Sequence, residues 1–131
     1  MAMMVASIPK GYSRETKDRF IAALGDVECL GFDMPRKYEH VYLMEFDAGH
    51  SDELMKKTKY VVVYTGAGKK VSAKSKIAEL FKEKCDQVFG AGDTEYASVI
   101  IEEHNNWMIS CEGEMRCEDA EAVAQQKAYQ E

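Results

Sequence analysis

The chain has 131 residues, of which 46% are hydrophobic, and a formal net charge of −6 at pH 7, which is typical of one globular domain. The acidic balance argues against nucleic-acid binding, and the apolar runs are too short to span a membrane. Because the start lacks a signal-peptide pattern, we expect a cytoplasmic protein whose four cysteines are free thiols, without a metal site or cofactor.

The first predicted unit, residues 2–46, is a strand, a helix and a returning strand. An apolar strand over residues 2–8 comes first. Ser13 is a good N-cap for a helix over residues 14–30, because its hydroxyl can accept from an exposed backbone amide. The helix has an apolar stripe at helical spacing, and a second apolar strand over residues 41–46 closes the unit.

A polar linker over residues 47–59 separates this unit from a second one, residues 60–103. The second unit repeats the pattern, with an apolar strand over residues 60–65, a helix for which Ser72 is the predicted N-cap, and a strand over residues 99–103. The repeat indicates that both units share one local architecture.

The two helix starts are the most similar parts of the repeat. Ser13 is followed four residues later by Lys17, and Ser72 by Lys76, an offset of 76 − 17 = 59 residues. Strand, helix and strand with short connections predict a parallel βαβ unit. Two units predict an α+β fold, a four-stranded mixed sheet with both helices on one face. Because the other face is also apolar, we expect an obligate oligomer.

The remaining residues complete a single domain, residues 1–131. A short strand over residues 107–111 is expected in a C-terminal hairpin, and residues 114–131 form an extension. Within the extension, residues 119–129 are rich in Ala, Glu and Gln, which favours a tail helix.

These elements resemble the tautomerase superfamily, whose long members carry two such units. The opening, Ala2 to Lys17, is similar without a gap to that of the 4-oxalocrotonate tautomerases, and residues 102–107 look like a strand-turn-tryptophan segment of decarboxylase members. The resemblance implies a homotrimer with sites where subunits meet, acting on a small anionic carbonyl compound by keto-enol isomerisation.

The family's catalytic group is a proline that becomes N-terminal after removal of the initiator Met. Here that position is Ala2. Its primary α-amine, with an ordinary pKa of about 7.7–8.0, can act as a base or form an imine once Met1 is removed. The alternative is a strand-starting alanine in a non-catalytic trimeric binding protein. The second copy places Tyr60 at the equivalent position, so we expect one amine site per subunit.

The resemblance also implies anion-binding positions. Lys69 stands where family members hold a substrate carboxylate with an arginine, and Tyr12 is its equivalent in the first copy. His40 stands near another family arginine, and Arg36 stands about where decarboxylase members carry an aspartate, which makes it an alternative anchor. Each of these side chains has a rival interpretation as a structural or solvated surface group.

Trp107 is the only tryptophan, at a position where the family places an aromatic wall of the site. Ile109, two residues further on, is expected to face the same side. The rival interpretation of Trp107 is core packing at a contact between subunits.

Overall fold

The structure, a computed structural model, describes residues 2–130 of the chain. The strands are β1 (Ala2–Pro9), β2 (Val41–Phe46), β3 (Thr58–Gly66), β4 (Glu95–His104), β5 (Ser110–Cys111) and β6 (Glu114–Met115). The α-helices are α1 (Arg14–Gly31), α2 (Val71–Phe89) and α3 (Ala120–Gln130).

The main sheet has the strand order β2-β1-β3-β4. The two outer pairs, β1 with β2 and β3 with β4, are parallel, whereas β1 and β3 are antiparallel. Helices α1 and α2 cover the same sheet face, where alternate residues of β1 and β3 enter one core. The predicted α+β fold with a four-stranded mixed sheet and helices on one face is confirmed.

Helix α1 begins as predicted. The Ser13 side chain accepts a hydrogen bond from the backbone N–H of Thr16 at 3.1 Å, and Glu15 adds a negative charge in the first turn, where the helix dipole is positive. Phe20 and Leu24 from α1 pack in the core.

The prediction that Ser72 caps α2 is wrong, because α2 begins at Val71 with Lys70 at the N-cap. Gly68, with a φ of +89°, turns the chain directly after β3, so the helix starts before Ser72 is reached. The helix starts are therefore 71 − 14 = 57 residues apart, rather than 59. With this offset the residue equivalent to Ala2 is Lys59, and not Tyr60.

Two other segments differ from the sequence interpretation. Strand β3 begins at Thr58, within the segment interpreted as a linker. The strand expected over residues 107–111 is mostly a 3₁₀ turn, Asn106–Met108, followed by the short strand β5. The turn forms because the Met108 N–H donates to the carbonyl of Asn105 at 2.9 Å. Strand β5 pairs with β6 in the predicted hairpin.

The sheet face opposite the helices carries apolar side chains on every strand. By the strand register the apolar residues of this open face are Met3, Val5, Tyr42, Met44, Tyr60, Val62, Tyr64 and Ile100, and the polar residues Ser7, Ser98 and Glu102 lie on it as well. Tyr42 is 59% exposed and Met44 55% exposed, so no element of residues 2–130 covers this surface fully. None of the helices in that part of the chain combines the length and apolar character needed to cross a bilayer.

Candidate functional site

A cavity of about 390 Å³ opens at the start of β1, and three of the predicted site residues, Ala2, His40 and Lys69, line it. The register explains how they meet. Ala2 pairs with Thr65 near the end of β3, so the turn that carries Lys69 lies beside the start of the chain. His40 comes directly before β2, the parallel neighbour of β1.

Ala2 lies in an apolar part of the cavity. Ala2 is 6% exposed and belongs to the core cluster, together with Phe32 from the end of α1. Phe32 and Met34 add apolar surface to the cavity wall. Elsewhere the lining is polar, with Lys37, Glu121 and Gln125 among its residues, so the cavity offers both apolar and polar contacts to a small molecule.

Lys69 supplies a cation to the same cavity. Its Nζ lies 5.8 Å from the centroid of the Phe32 ring, within the range of a cation–π contact. Burial lowers the pKa of Lys69, and the negative charge of Glu103 opposes that shift. Lys69 therefore presents a partly desolvated amine to the cavity in which Ala2 lies.

His40 is fixed by two hydrogen bonds. Its ring Nδ1 lies 2.7 Å from the carbonyl oxygen of Tyr38, which assigns the proton to Nδ1 as the donor. Its backbone N–H donates to Glu28 Oε1 at 3.1 Å. The other ring nitrogen, Nε2, is therefore the one left for a ligand.

Arg116 is a cavity cation that the sequence interpretation missed. It comes from the C-terminal extension, lines the cavity, and its side chain is only 18% exposed. Its guanidinium lies 3.6 Å from the carboxylate of Asp119, another lining residue. The extension has no counterpart in the repeat, so comparing the two copies could not identify Arg116.

The other predicted site residues lie outside this cavity. Arg36 is held in ion pairs with Asp26 and Glu39 on the surface. Trp107 is 65% exposed in the isolated chain. Ile109 lines a smaller neighbouring cavity of about 20 Å³, to which Lys69 and Arg116 also contribute.

Tyr12 lies at the opposite end of the sheet, in the second copy's equivalent of the cavity. Its hydroxyl donates to Asp93 at 2.5 Å and accepts from the Nζ of Lys59 at 3.1 Å. Lys59 is fully buried, with its Nζ 4.6 Å from the centroid of Phe89. Burial lowers the pKa of Lys59, opposed by Asp93. With the 57-residue offset, Lys59 stands at the position equivalent to Ala2, so the second copy has a long buried side chain where the first copy has a methyl group.

Glu28 is the second residue near the cavity that the sequence interpretation missed. It lies on the buried stripe of α1, one helical turn from both Leu24 and Phe32, and is fully buried. Burial raises the pKa of Glu28 to about 7, although the hydrogen bond from the His40 N–H opposes that shift. A carboxyl on an apolar helix stripe is the signal that could have identified it.

No family model matches the chain, and no curated protein matches its sequence. Solved structures do match. A fused 4-OT, described as an asymmetric trimer, is 18% identical with a TM-score of 0.77, covering 94% of this chain and 98% of its own. A protein inactivated by 2-oxo-3-pentynoate is 15% identical with a TM-score of 0.74, covering 86% of this chain and 94% of its own.

Malonate semialdehyde decarboxylase, described with decarboxylase and hydratase activities, is 13% identical with a TM-score of 0.71, covering 94% of this chain and 97% of its own. At these identities the likeness shows the fold alone. The resemblance to the tautomerase superfamily is thereby confirmed at the level of the fold, which spans most of the chain.

Proposed function

We propose that the protein is a tautomerase-like enzyme that isomerises a small carboxylate-bearing carbonyl compound, with the α-amine of Ala2 as the proton carrier. The observation that supports this most is the cavity at the start of β1, where Ala2 lies with the cations Lys69 and Arg116. An amine beside anion-binding groups in a partly apolar cavity suits proton transfer next to a carbonyl.

The reaction needs the neutral amine. Once Met1 is removed, the amine of Ala2 takes a proton from the carbon next to the substrate carbonyl, and an enol forms. The resulting ammonium then returns the proton to a different carbon. Lys69 and Arg116 hold the substrate carboxylate, Arg116 as a planar fork and Lys69 as a point charge. Apolar surroundings and these cations favour the neutral amine near pH 7.

Self-association is part of the proposal. The fused 4-OT with the similar fold is described as a trimer, and the open sheet face of this chain carries apolar residues on all four strands. Burying that face against other copies removes apolar surface from water. In such a homotrimer the exposed indole of Trp107 would contribute an apolar wall where subunits meet.

The second candidate is a non-catalytic trimeric protein that binds a small anion in the same cavity. Two observations favour it. Ala2 replaces the family's N-terminal proline, and Lys69 replaces the family's arginine. Both candidates need the cavity cations, but only the enzyme needs a free amine at Ala2.

An isomerase assay separates the two. The chain is released from a cleavable fusion so that it begins at Ala2, and ketonisation of phenylenolpyruvate is followed beside a chain that retains Met1. We expect activity only in the first form, because one added strand residue moves the amine by roughly 3.3 Å. Activity that survives in the Met1 form would refute the amine mechanism. No activity above buffer, with Ala2→Pro equally inactive, would favour the binding protein.

The anion-holding role has its own comparison. Lys69→Met removes the cavity cation, while Lys70→Met removes the charge of the adjacent exposed lysine. We expect KM to rise by about tenfold for Lys69→Met, equivalent to about 1.4 kcal/mol, and by less than twofold for Lys70→Met. Equal effects of the two variants would show that general surface charge, and not the cavity, attracts the substrate.

A further inference from the structure

Among the side chains that the structure describes, two buried polar atoms have no hydrogen-bond partner, Oε2 of Glu28 and Oγ1 of Thr65. Roughly nine in ten or more of such buried groups are satisfied in native proteins, so each exception needs an explanation. Both residues are fully buried, and both lie beside the start of β1. Thr65 is the register partner of Ala2, and Glu28 accepts from the N–H of His40, whose carbonyl bonds to Met4 of the same strand.

The strand ladder places Glu28 on the β2 side of Ala2. The Met4 N–H donates to the His40 carbonyl at 2.9 Å, so the nitrogen of Ala2, two residues earlier, faces the same edge. Continued regularly, the ladder would direct the His40 N–H to the carbonyl of Ala2. It donates instead to Glu28 Oε1 at 3.1 Å. The Glu28 carboxyl therefore stands where the ladder ends, next to Ala2.

Thr65 lies on the other side. It is the register partner of Ala2 on β3, it lines the cavity, and its side chain is directed to the helix-covered face as is that of Ala2. Ala2 is thus flanked by two buried side-chain oxygens without hydrogen-bond donors, one from α1 and one from β3.

We propose that Glu28 and Thr65 are positioning residues that seat the α-amine of a chain beginning at Ala2. This inference rests on the proposed function and assigns its proton-holding groups. An ammonium has three N–H donors, and Glu28 Oε2 and Thr65 Oγ1 each accept one of them. The third N–H points to the substrate.

The proton balance is complete without any other reactant. When the amine takes a proton from a substrate carbon, the new ammonium is stabilised by the Glu28 carboxylate. When the proton returns to the other carbon, the amine is neutral again, and the Glu28 carboxylate has neither gained nor lost a proton in the cycle. The amine and the carboxyl then titrate as one coupled pair rather than as two independent groups.

Other groups near the pair also act on the pKa values of Glu28 and the amine. Glu39, in the turn before β2, raises the pKa of Glu28, and Lys69 faces the cavity from the turn after β3. Cys29, next to Glu28 on α1, has a pKa raised by burial, so its thiol stays neutral. His40 contributes its ring from the start of β2. An experiment must therefore separate the effect of direct contact with Glu28 on the amine's pKa from the combined electrostatic effect of these other groups.

Amine titration makes that distinction without relying on activity. The chain is released from a fusion so that it begins at Ala2, whatever happens to Met1 in cells. Acetylation of the α-amine by limiting acetic anhydride is measured against pH by mass spectrometry of the N-terminal peptide. The variants are Glu28→Gln and Thr65→Val, and Glu39→Gln is the control for a nearby charge without contact.

We expect Glu28→Gln to lower the amine's pKa by about one unit, which is about tenfold more acetylation at pH values well below that pKa, because the ammonium loses its carboxylate partner. Thr65→Val should lower it in the same direction by less, and Glu39→Gln should change labelling by less than twofold. Equal labelling of Glu28→Gln and Glu39→Gln would overturn the inference. An inactive enzyme with a shifted amine pKa would refute only the proposed function.

Discussion

Replacing Glu28 by Gln should stabilise the chain that retains Met1, and the gain should depend on pH. Glutamine has the shape of the neutral acid and keeps the oxygen that accepts from the His40 N–H. Burial raises the pKa of Glu28 from 4.5 to about 7. With 1.36 kcal/mol for each pKa unit, ionised Glu28 lowers the free energy of unfolding by about 3 kcal/mol.

The pH window follows from the raised pKa. Below pH 4.5 the carboxyl is protonated in both the folded and unfolded states, so its contribution to stability is fully present. Between pH 4.5 and about 7 the unfolded chain ionises first, and that contribution is lost. Above pH 7 the loss is complete. Glu28→Gln does not titrate, so it should equal the native chain near pH 4 and exceed it at pH 8.

Thermal and urea unfolding at one protein concentration test this, with Glu79→Gln, an exposed glutamate on α2, as the control. For a chain of this size about 3 kcal/mol corresponds to roughly 10 °C in Tm. If Glu28→Gln is no more stable than the native chain at pH 8, or if its gain in unfolding free energy is the same at pH 4, burial of an ionised Glu28 does not destabilise the fold. In a chain that begins at Ala2 the gain should shrink, because the ammonium neutralises the buried carboxylate.

Three further outcomes are expected. Lys59→Ala removes a fully buried side chain whose Nζ lies over the Phe89 ring, and it should cost about 2–4 kcal/mol in urea unfolding, with Lys59→Met costing less. A loss below about 1 kcal/mol for Lys59→Ala would contradict a packing role for this side chain. Met44→Glu should dissociate the oligomer in light scattering at micromolar concentration, whereas Met44→Leu should not; an unchanged mass would exclude the open face as the interface. Arg116→Met should raise KM about tenfold with little change in kcat, and a fall in kcat alone would place Arg116 in the chemical step instead.

Apolar periodicity was enough to predict the sheet, because burial on one face imposes a period of two on strands and an amphipathic stripe on helices. The Ser13 N-cap could also be predicted, because an N-cap depends on residues that are close together in the sequence. The register of the second copy relative to the first could not be predicted in this way. The sequences starting at Ser13 and Ser72 look alike, but the backbone turn at Gly68 sets where α2 begins. The helix starts are therefore 57 residues apart rather than 59, and Lys59 rather than Tyr60 takes the position equivalent to Ala2.

The candidate site was predictable only in part. Ala2 and Lys69 were expected at a site from the family resemblance, and the structure shows that they meet because β1 and β3 pair antiparallel. Arg36 has ordinary sequence surroundings, and only the folded turn shows that Asp26 and Glu39 hold it. Arg116 reaches the cavity through tertiary packing of the extension, which has no repeat to compare with.

Covalent labelling with 2-oxo-3-pentynoate, the compound that inactivated one protein of similar fold, is the sharpest test for a reactive amine at Ala2. The chain beginning at Ala2 is treated near pH 7, and its peptides are mapped by mass spectrometry, since free thiols also add to alkynes. We expect one adduct, on the amine of Ala2, and no such adduct when Met1 is retained. Labelling confined to cysteines, or equal in both forms, would contradict an amine site at Ala2.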